Sequence, residues 1–390
     1  MRCVIAGGGT GGHLFPGLAI ADAFTEREMG NKVLFIGTEG GLEARILAEG
    51  RFPLRTIPVK PLLGGSWSAR ARALGILPRS IWEARNILKD FRPHVVLGVG
   101  GYASGPALVA AFLLRIKRAI HEQNLVPGMT NRLLRWFSQQ IFVSFEETKE
   151  YFPKPKTWVT GTPVRKEFLS SMSTGEARAA RRTGSSFTLF VFGGSAGAQR
   201  INRAMVEALT SFDTIKPSLK IMHQTGRDDF EQVSKSYQGK GFDALVRPFF
   251  EDMVSCYERS DLVVCRAGAS TIAELAVCGR AAILVPYPFA ARQHQLINAR
   301  KLVELGGARM IRDQELSGPS LAKTVLHFYD HREELTRTEE AIRRLGRPGA
   351  AREIVEHCYA LINSDSVSVS VDKRKDTSKH SDSVSGQRHA

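Results

Sequence analysis

The sequence has few cysteines and lacks the features of a membrane-spanning or secreted chain. Its five cysteines among 390 residues are odd in number and form no C-x-x-C pair, which indicates reduced core residues and argues against disulfides or a zinc site. No segment approaches the roughly 20 apolar residues of a membrane-spanning helix, since the best candidate, 106–114, is followed by Arg115 and Lys117. The chain starts with a core-like strand and not with a signal peptide, so we expect a cytoplasmic protein.

Metal-binding patterns are absent as well. The sequence contains no Asp-x-Asp pair and no His, Asp or Glu spacing typical of metal ligands. We therefore expect no cofactor and no metal. If the ligand carries a diphosphate, arginines, hydroxyl groups and helix N-termini must neutralise it.

The composition is that of a basic globular protein. A chain of 390 residues with 43% hydrophobic content suits two domains of ordinary size. Its 54 lysines and arginines against 39 acidic residues give a net charge of +15, which favours an anionic partner such as nucleic acid, an acidic bilayer or a phosphorylated substrate. The basic residues are spread along the chain and match no nucleic-acid-reading motif, so we expect no nucleic-acid partner.

A glycine-rich turn occurs twice, each time between a short apolar strand and a helix-like segment. The first copy is Gly7–His13 after the strand 1–6, and the second is Gly193–Ala198 after the strand 187–192. Such a turn leaves the first N–H groups of the following helix free for phosphate or a hydroxyl-rich ligand. Two copies predict two nucleotide-type folds that face each other across a cleft.

Strand-like segments alternate with segments of helical length, as in α/β proteins with parallel sheets. The predicted strands are 3–6, 32–37, 94–98, 119–121, 140–143 and 158–160, then 187–192, 220–224, 244–247, 262–265 and 282–285. Gly and Pro place the joint near 161–165. We predict domains at 1–163 and 164–345, a helix at about 346–362 that packs back on the first domain, and a disordered, serine-rich tail at 364–390.

The first glycine turn fits G-x-G-x-x-G, which taken alone suggests an NAD-dependent dehydrogenase. The second strand, however, ends at Thr38 without the acidic residue that holds a dinucleotide ribose, and Glu39 comes late. The turn also continues into His13, a titratable ring at a helix N-terminus. We favour a functional role for His13 over a structural one because of this position.

Two further polar loops follow strands of the first half. They are 98–106, which contains Tyr102 and Ser104, and His-Glu-Gln-Asn at 121–124. Taken singly, the first loop could be explained by turn formation and the second by helix capping through Asn124, without any ligand. Because the carboxyl ends of parallel strands meet at one edge, three such loops favour a sugar or phosphate site there.

The second half carries a complementary set of polar residues. Arg165 lies at the joint, Thr271 and Glu274 follow the strand 262–265, and Gln295 and Asn298 come after the strand 282–285. Thr271 can bond a phosphate oxygen and Glu274 can accept both hydroxyls of a ribose, although a solvent-facing helical glutamate is the simpler alternative for Glu274. Amide side chains that both donate and accept suit sugar hydroxyls.

The insertion 60–90 interleaves arginines with large apolar residues. A core-packing helix with a basic outer face and a membrane-surface patch fit this pattern equally well.

Six segments in this order closely resemble the MurG family, glycosyltransferase family 28. They are 8–13, 100–106, 121–124, 161–165, 193–198 and 266–271 with Glu274. The resemblance covers about residues 1–362 and implies a GT-B fold with two Rossmann-like domains. It implies a UDP-GlcNAc-dependent hexosyltransferase that transfers N-acetylglucosamine (GlcNAc), with inversion, to the C4 hydroxyl of N-acetylmuramic acid (MurNAc) in lipid I, undecaprenyl-pyrophosphoryl-MurNAc-pentapeptide, to give lipid II for peptidoglycan. A GT-B transferase with a different lipid-linked acceptor is the alternative.

The resemblance also implies residue roles. For UDP-GlcNAc it implies Thr10, Gly11, Gly12, His13, Asn124, Arg165, Ser195, Phe250, Ala269, Thr271, Glu274, Gln295 and Asn298. For the acceptor it implies Gly101, Tyr102, Ser104, Glu122 and Asn124. Ala196 stands where the family often has Gln, so the donor contacts there differ.

Because the acceptor is a lipid, we expect a peripheral protein on the cytoplasmic face of the plasma (inner) membrane that binds anionic lipid. The expected membrane patch is Ile76, Leu77, Arg79, Ile81, Trp82, Arg85 and Trp136. Other cell-wall synthesis proteins are further expected partners.

An inverting, single displacement needs a base for the acceptor proton. His13 and Glu122 are the candidates, and His13 is preferred because its ordinary pKa lies near working pH.

Overall fold

The computed structural model describes residues 1–39, 42–47, 50–60, 67–170, 186–194 and 196–363. The predicted tail at 364–390 lies outside the described residues. The fold class is α/β, as predicted, with two parallel sheets that each carry helices on both faces.

The N-terminal sheet has seven parallel strands in the order β3-β2-β1-β4-β5-β6-β7. Its strands and helices are β1 (Arg2–Gly7), α1 (Gly11–Arg27), β2 (Lys32–Gly37), α2 (Leu42–Leu47), β3 (Leu54–Thr56), α3 (Trp67–Phe91), β4 (Val95–Gly100), α4 (Ser104–Leu113), β5 (Lys117–Glu122), α5 (Met129–Leu134), β6 (Gln140–Val143) and β7 (Thr157–Val159). A short helix, α6 (Lys166–Ser170), follows and packs in the C-terminal half through Phe168. All six residues of β4 are buried, because helices cover both faces of a parallel sheet.

The C-terminal sheet has six strands in the order β10-β9-β8-β11-β12-β13. Its elements are β8 (Phe187–Phe192), α7 (Gln199–Ala208), β9 (Leu219–Gln224), α8 (Phe230–Gly239), β10 (Asp243–Arg247), α9 (Met253–Arg259), β11 (Leu262–Cys265), α10 (Ala269–Cys278), β12 (Ala282–Leu284), α11 (His294–Glu304), β13 (Arg309–Met310), α12 (Gly318–Asp330) and α13 (Arg332–Arg343). In both sheets the strand order reverses beside the first strand, at the point where α/β folds bind ligands.

All eleven predicted strands are confirmed to within a few residues. Two edge strands, β3 and β13, were not predicted. They span three and two residues, too few for an alternating or continuous apolar pattern to be recognised. The five cysteines are free and buried, as predicted.

A last helix, α14 (350–363), returns to the N-terminal sheet. Ala351, Ile354 and Cys358 are buried in the same apolar core as β1 and α1, while the His357 ring lies 4.3 Å from the Trp158 ring. The chain therefore passes between the two halves twice.

The two crossings lie side by side. Val164 already belongs to a C-terminal core, together with Ile342, so the crossings fall between 161 and 164 and between 345 and 350. Gly161 has a φ of 83°, and a Cβ there would lie 2.5 Å from the Cβ of Arg347. Glycine at 161 thus permits close contact between the two crossings.

None of the helices within the described ranges is long and apolar enough to cross a membrane.

Candidate active site

The first glycine turn lies against a buried carboxylate. Glu43, with 0% of its surface exposed, accepts hydrogen bonds from Gly9 N at 2.7 Å and from Thr38 N and Oγ1 at 2.8 and 2.9 Å. Gly8 has a φ of 138°, and a Cβ there would collide with the Glu43 carboxyl group. Sequence analysis missed Glu43, because no local pattern distinguishes it from a solvent-facing helical glutamate.

His13 lies in the first turn of α1, and its half-buried ring packs against the end of β4. Its Nδ1 is 3.2 Å from Thr10 Oγ1, and a Cβ on Gly100 would lie 2.5 Å from His13 Cδ2. The pKa of His13 is lowered to about 4, mainly by burial and to a smaller extent by His294 across the cleft, while the Gly8 backbone and Glu43 oppose the shift. The ring is therefore neutral near pH 7.

Glu122 organises the loop after β5. Its carboxylate, 2% exposed, accepts hydrogen bonds from Asn124 N and Nδ2 at 3.0 and 3.1 Å, from Gly128 N at 3.0 Å and from Asn131 Nδ2 at 2.9 Å. Burial raises the pKa of Glu122, and these four donors oppose that rise. Both oxygens are thus occupied by neighbouring protein groups.

The loop after β4 is bound to the carboxyl ends of β1 and β4 through Ser104. Ser104 Oγ lies 2.6 Å from the Ala6 carbonyl oxygen and accepts a hydrogen bond from Gly100 N at 3.1 Å. The expectation that Ser104 contacts the acceptor is not supported by this geometry, because its side chain is completely buried. Gly101 has a φ of 81°, and Tyr102 is exposed.

Asn124 and Asn298 join the two halves directly. Asn298 Nδ2 donates to Asn124 Oδ1 at 3.1 Å, and Asn298 Oδ1 accepts from Leu125 N at 3.0 Å. An ion pair between Lys301 and Glu147, at 2.5 Å, lies alongside. The structure therefore brings the polar loop after β5 and the helix α11 to one cleft.

Arg165 and Glu274 form a second junction. Arg165 Nη2 is 3.6 Å from Glu274 Oε1, and its guanidinium lies 4.5 Å from the ring centroid of Phe15 on α1. Burial raises the pKa of Glu274 to about 7, and Arg165 and the Tyr257 hydroxyl oppose the rise. Glu274 is buried, so the alternative of a solvent-facing glutamate is wrong.

The second glycine turn is closely packed against the end of β9. Gln224 Nε2 donates to Gly194 O at 2.9 Å, and its Oε1 accepts from Phe250 N at 2.8 Å. Gln224 thus ties Phe250 to the glycine turn. Sequence analysis did not select Gln224, although its place at the carboxyl end of a strand was a usable signal. Ser195 lies outside the described residues.

The remaining predicted donor residues lie on both sides of the cleft, at the N-termini of α10 and α1 and near the start of α11. Helix α10 begins at Ala269 with no side-chain cap, so its first N–H groups and Thr271 are available to an anion. Gln295 Oε1 accepts from Tyr287 N at 2.9 Å. Across the cleft, α1 begins at Gly11 and Gly12, after Thr10, also without a side-chain cap.

The expected membrane patch divides into two groups of residues. Trp82 and Trp136 are 61% and 70% exposed, and the Arg135 guanidinium lies 4.8 Å from the Trp136 ring. Three other apolar members are half-buried and, together with the exposed Trp136, line a cavity between α3, α4 and α5, namely Ile76, Leu77 and Ile81.

The basic members of the patch also differ. Arg79 is exposed and forms an ion pair with Glu83 at 2.8 Å, whereas Arg85 is half-buried. The expectation of a core-packing helix is therefore confirmed for one side of α3, while another side carries exposed tryptophan and arginine.

Two doubly wound domains whose glycine turns and uncapped helix N-termini meet at one cleft form the GT-B architecture, which suits a nucleotide-sugar ligand. Family models agree in both halves: residues 3–143 match the glycosyltransferase family 28 N-terminal domain, and residues 188–354 match the family 28 C-terminal domain. The chain belongs to glycosyltransferase family 28. This membership excludes the dehydrogenase interpretation of the first glycine turn.

Curated relatives and a solved structure agree with this assignment. The chain is 46% identical over 362 residues, 93% of each chain, to a Myxococcus xanthus protein named UDP-N-acetylglucosamine–N-acetylmuramyl-(pentapeptide) pyrophosphoryl-undecaprenol N-acetylglucosamine transferase. A relative of the same name from Geotalea daltonii is 46% identical over 91% of this chain and 96% of its own. The crystal structure of Acinetobacter baumannii MurG is 30% identical, covers 92% of this chain and 99% of its own, and gives a TM-score of 0.76.

Proposed function

We propose that the protein transfers GlcNAc from UDP-GlcNAc to the C4 hydroxyl of MurNAc in lipid I, with inversion at the anomeric carbon, to give lipid II. The observation that carries this proposal is the 46% identity over 362 residues to transferases of that name, in a chain whose two polar loop sets meet at one cleft. Residues 1–163, with α14, form the acceptor domain, and residues 164–345 form the donor domain.

The donor domain holds the UDP-GlcNAc. Arg165, Ser195, Thr271 and the N-terminus of α10 at Ala269 bind the diphosphate, because a cation, hydroxyl groups and free N–H groups stabilise negative charge. Phe250 lies beside the uracil. The diphosphate is neutralised by these groups without a metal ion.

Glu274 accepts the ribose hydroxyls in this proposal. Its carboxylate is 3.6 Å from Arg165 Nη2, so the ribose and the diphosphate of one donor molecule contact two adjacent side chains. Gln295 contacts the GlcNAc moiety, with Thr10, Gly11, Gly12 and Asn124 closing the site from the other domain. Asn298, predicted from the sequence to contact the donor, is completely buried and instead positions Asn124 and Leu125. Tyr102, Gly101 and the loop that Glu122 organises receive the acceptor.

His13 is the base. Its ring takes the proton of the C4 hydroxyl while the acceptor oxygen bonds to the anomeric carbon, and the bond from that carbon to the UDP oxygen breaks with its electron pair on UDP. A pKa of about 4 keeps the ring neutral at working pH. The reason given from the sequence, a pKa near working pH, is nevertheless wrong for this ring, because burial makes it a weaker base than an ordinary histidine. Glu122 is the second candidate, but its oxygens already accept four hydrogen bonds, which favours a positioning role.

The protein acts at the cytoplasmic face of the plasma membrane as a peripheral protein. Exposed Trp82 and Trp136, with Arg79 and Arg135 nearby in the same region, combine apolar and basic groups as membrane-surface segments do. The net charge of +15 adds attraction to anionic lipid.

The test is UDP release from UDP-GlcNAc, with and without a short-chain lipid I analogue, in EDTA. We expect release that depends on the acceptor and survives the chelator. Release that stops in EDTA and returns with Mg²⁺ would overturn the metal-free mechanism. Donor binding without release would instead favour a GT-B transferase that uses another lipid-linked acceptor.

A further inference from the structure

A cavity of about 330 Å³ lies beneath the exposed surface of α3, between α3, α4 and α5. Its walls are apolar and include Ala73 and Leu77 of α3, Val109 of α4 and Leu134 of α5. Ala73 and Leu134 are buried. The cavity is at the lower end of the size range of small-molecule sites.

The cavity shares a wall with the loop that we assign to the acceptor. Tyr102, Gly105 and Pro106, which follow β4, belong to its lining, as does Met129, the first residue of α5. Helix α5 begins directly after Gly128, whose N–H donates to Glu122. The same two loops therefore border both the proposed acceptor site and the cavity.

Charge at the cavity is limited to one side. Among the described residues that line it, Lys60 is the only charged one, and Lys60 is exposed. An elongated ligand with an anionic end and an apolar chain matches this arrangement, since the anion can remain near the lysine while the chain enters the apolar interior.

We propose that this cavity binds the first isoprene units of the acceptor's polyprenyl chain, next to its pyrophosphate. The inference rests on the proposed function, which supplies an acceptor with those two chemical parts. The volume of about 330 Å³ suits only a short part of the chain, so the remainder stays in the bilayer. Trp136 is 70% exposed and also belongs to the lining, so it stands where the cavity meets the outer surface, whereas exposed Trp82 is absent from the lining.

Two helical glycines provide a matched pair of variants. A Cβ at Gly105, in the cavity wall, meets no atom within 4 Å, and the same holds at Gly75 in α3. Gly75 is exposed and is absent from the cavity lining. Gly105→Leu should fill part of the cavity, Gly105→Ala should fill less of it, and Gly75→Leu is the control. Thermal unfolding verifies that all variants fold.

The first measurement is calorimetric binding of farnesyl diphosphate and of inorganic pyrophosphate, without vesicles. We expect the wild type to bind farnesyl diphosphate at least tenfold more tightly than pyrophosphate. Gly105→Leu should lose most of that difference, Gly105→Ala should lose less, and Gly75→Leu should retain it. Equal loss in Gly105→Leu and Gly75→Leu, or no preference in the wild type, would overturn the proposal. Equally tight binding of dodecyl phosphate would also overturn it, because the cavity would then accept any bilayer chain.

The second measurement separates this proposal from the proposed function. Lipid I analogues with one to four isoprene units are compared in the transfer assay below their micelle concentrations. We expect the acceptor KM to fall at least tenfold as the chain lengthens and then to level off, with a smaller fall in Gly105→Leu. Turnover with a KM independent of chain length would overturn the cavity proposal alone, whereas no turnover with any analogue, together with intact farnesyl diphosphate binding, would overturn the proposed function alone.

Discussion

Asn298 in the C-terminal half and Asn124 in the N-terminal half are joined by a hydrogen bond of 3.1 Å. Asn298 also accepts from the backbone of Leu125, so one buried amide connects the donor helix to the acceptor loop. A buried amide that loses its partners leaves polar groups unsatisfied, which costs about 1–3 kcal/mol.

Asn298→Ala should therefore lower kcat/KM for transfer by at least tenfold through misplacement of the acceptor loop against the donor. Steady-state kinetics with both substrates measures this effect. Lys301→Ala is the matched control, because it removes a more exposed pair between the same two halves. Equal kinetics in the two variants would contradict a special role for the Asn124–Asn298 contact.

His13→Ala should reduce kcat by about 10²–10⁴, the usual contribution of a general base. In the wild type, kcat should stay level from pH 8 down to about pH 5 and fall as His13 takes up a proton near its pKa of about 4. A pH–rate profile in the stable pH range tests this, with Glu122→Gln for comparison. If His13→Ala kept full turnover with saturating acceptor, the base would have to be another group.

Glu274→Gln should raise the KM for UDP-GlcNAc. Because burial raises the pKa of Glu274 to about 7, the carboxylate is ionised above and protonated below that pH. The wild-type KM for the donor should therefore rise as pH falls from 8 to 6, and the variant should show a high KM with little dependence on pH. A steep profile that persists in the variant would assign the titration to another residue.

Glu43→Gln should lower the thermal midpoint and raise the acceptor KM. The amide can accept from Gly9 N and Thr38, but its own N–H₂ group replaces one of the accepting oxygens, so at least one of the three hydrogen bonds is lost. We expect a loss of about 1–3 kcal/mol in the free energy of unfolding. Glu39→Gln, at an exposed position nearby, is the control and should change neither quantity.

The glycine turns and the strands before them could be predicted from the sequence because their signals are local. Apolar runs such as 187–192 and positive-φ glycines such as Gly194 are determined within a few residues. The edges of both sheets were harder, since β3 and β13 are held by pairing with β2 and β12 and not by their own composition.

Tertiary packing determined the parts of the site that the sequence did not reveal. Glu43 lies 34 residues from its partner Gly9 along the chain, and Gln224 lies 26 residues from Phe250. Ile76 and Trp82 belong to one continuous amphipathic segment, and only the positions of α4 and α5 decide which side chain enters the cavity. Likewise, the sequence predicted that the Ser104 hydroxyl group faces the ligand, but it donates to the Ala6 carbonyl oxygen.

The contact between Gly161 and Arg347 has a mechanical consequence. Since both chain crossings lie side by side at that point, we expect it to be the hinge of any relative movement of the two halves. A side chain at 161 would wedge the two segments apart and change the angle at which the cleft rests.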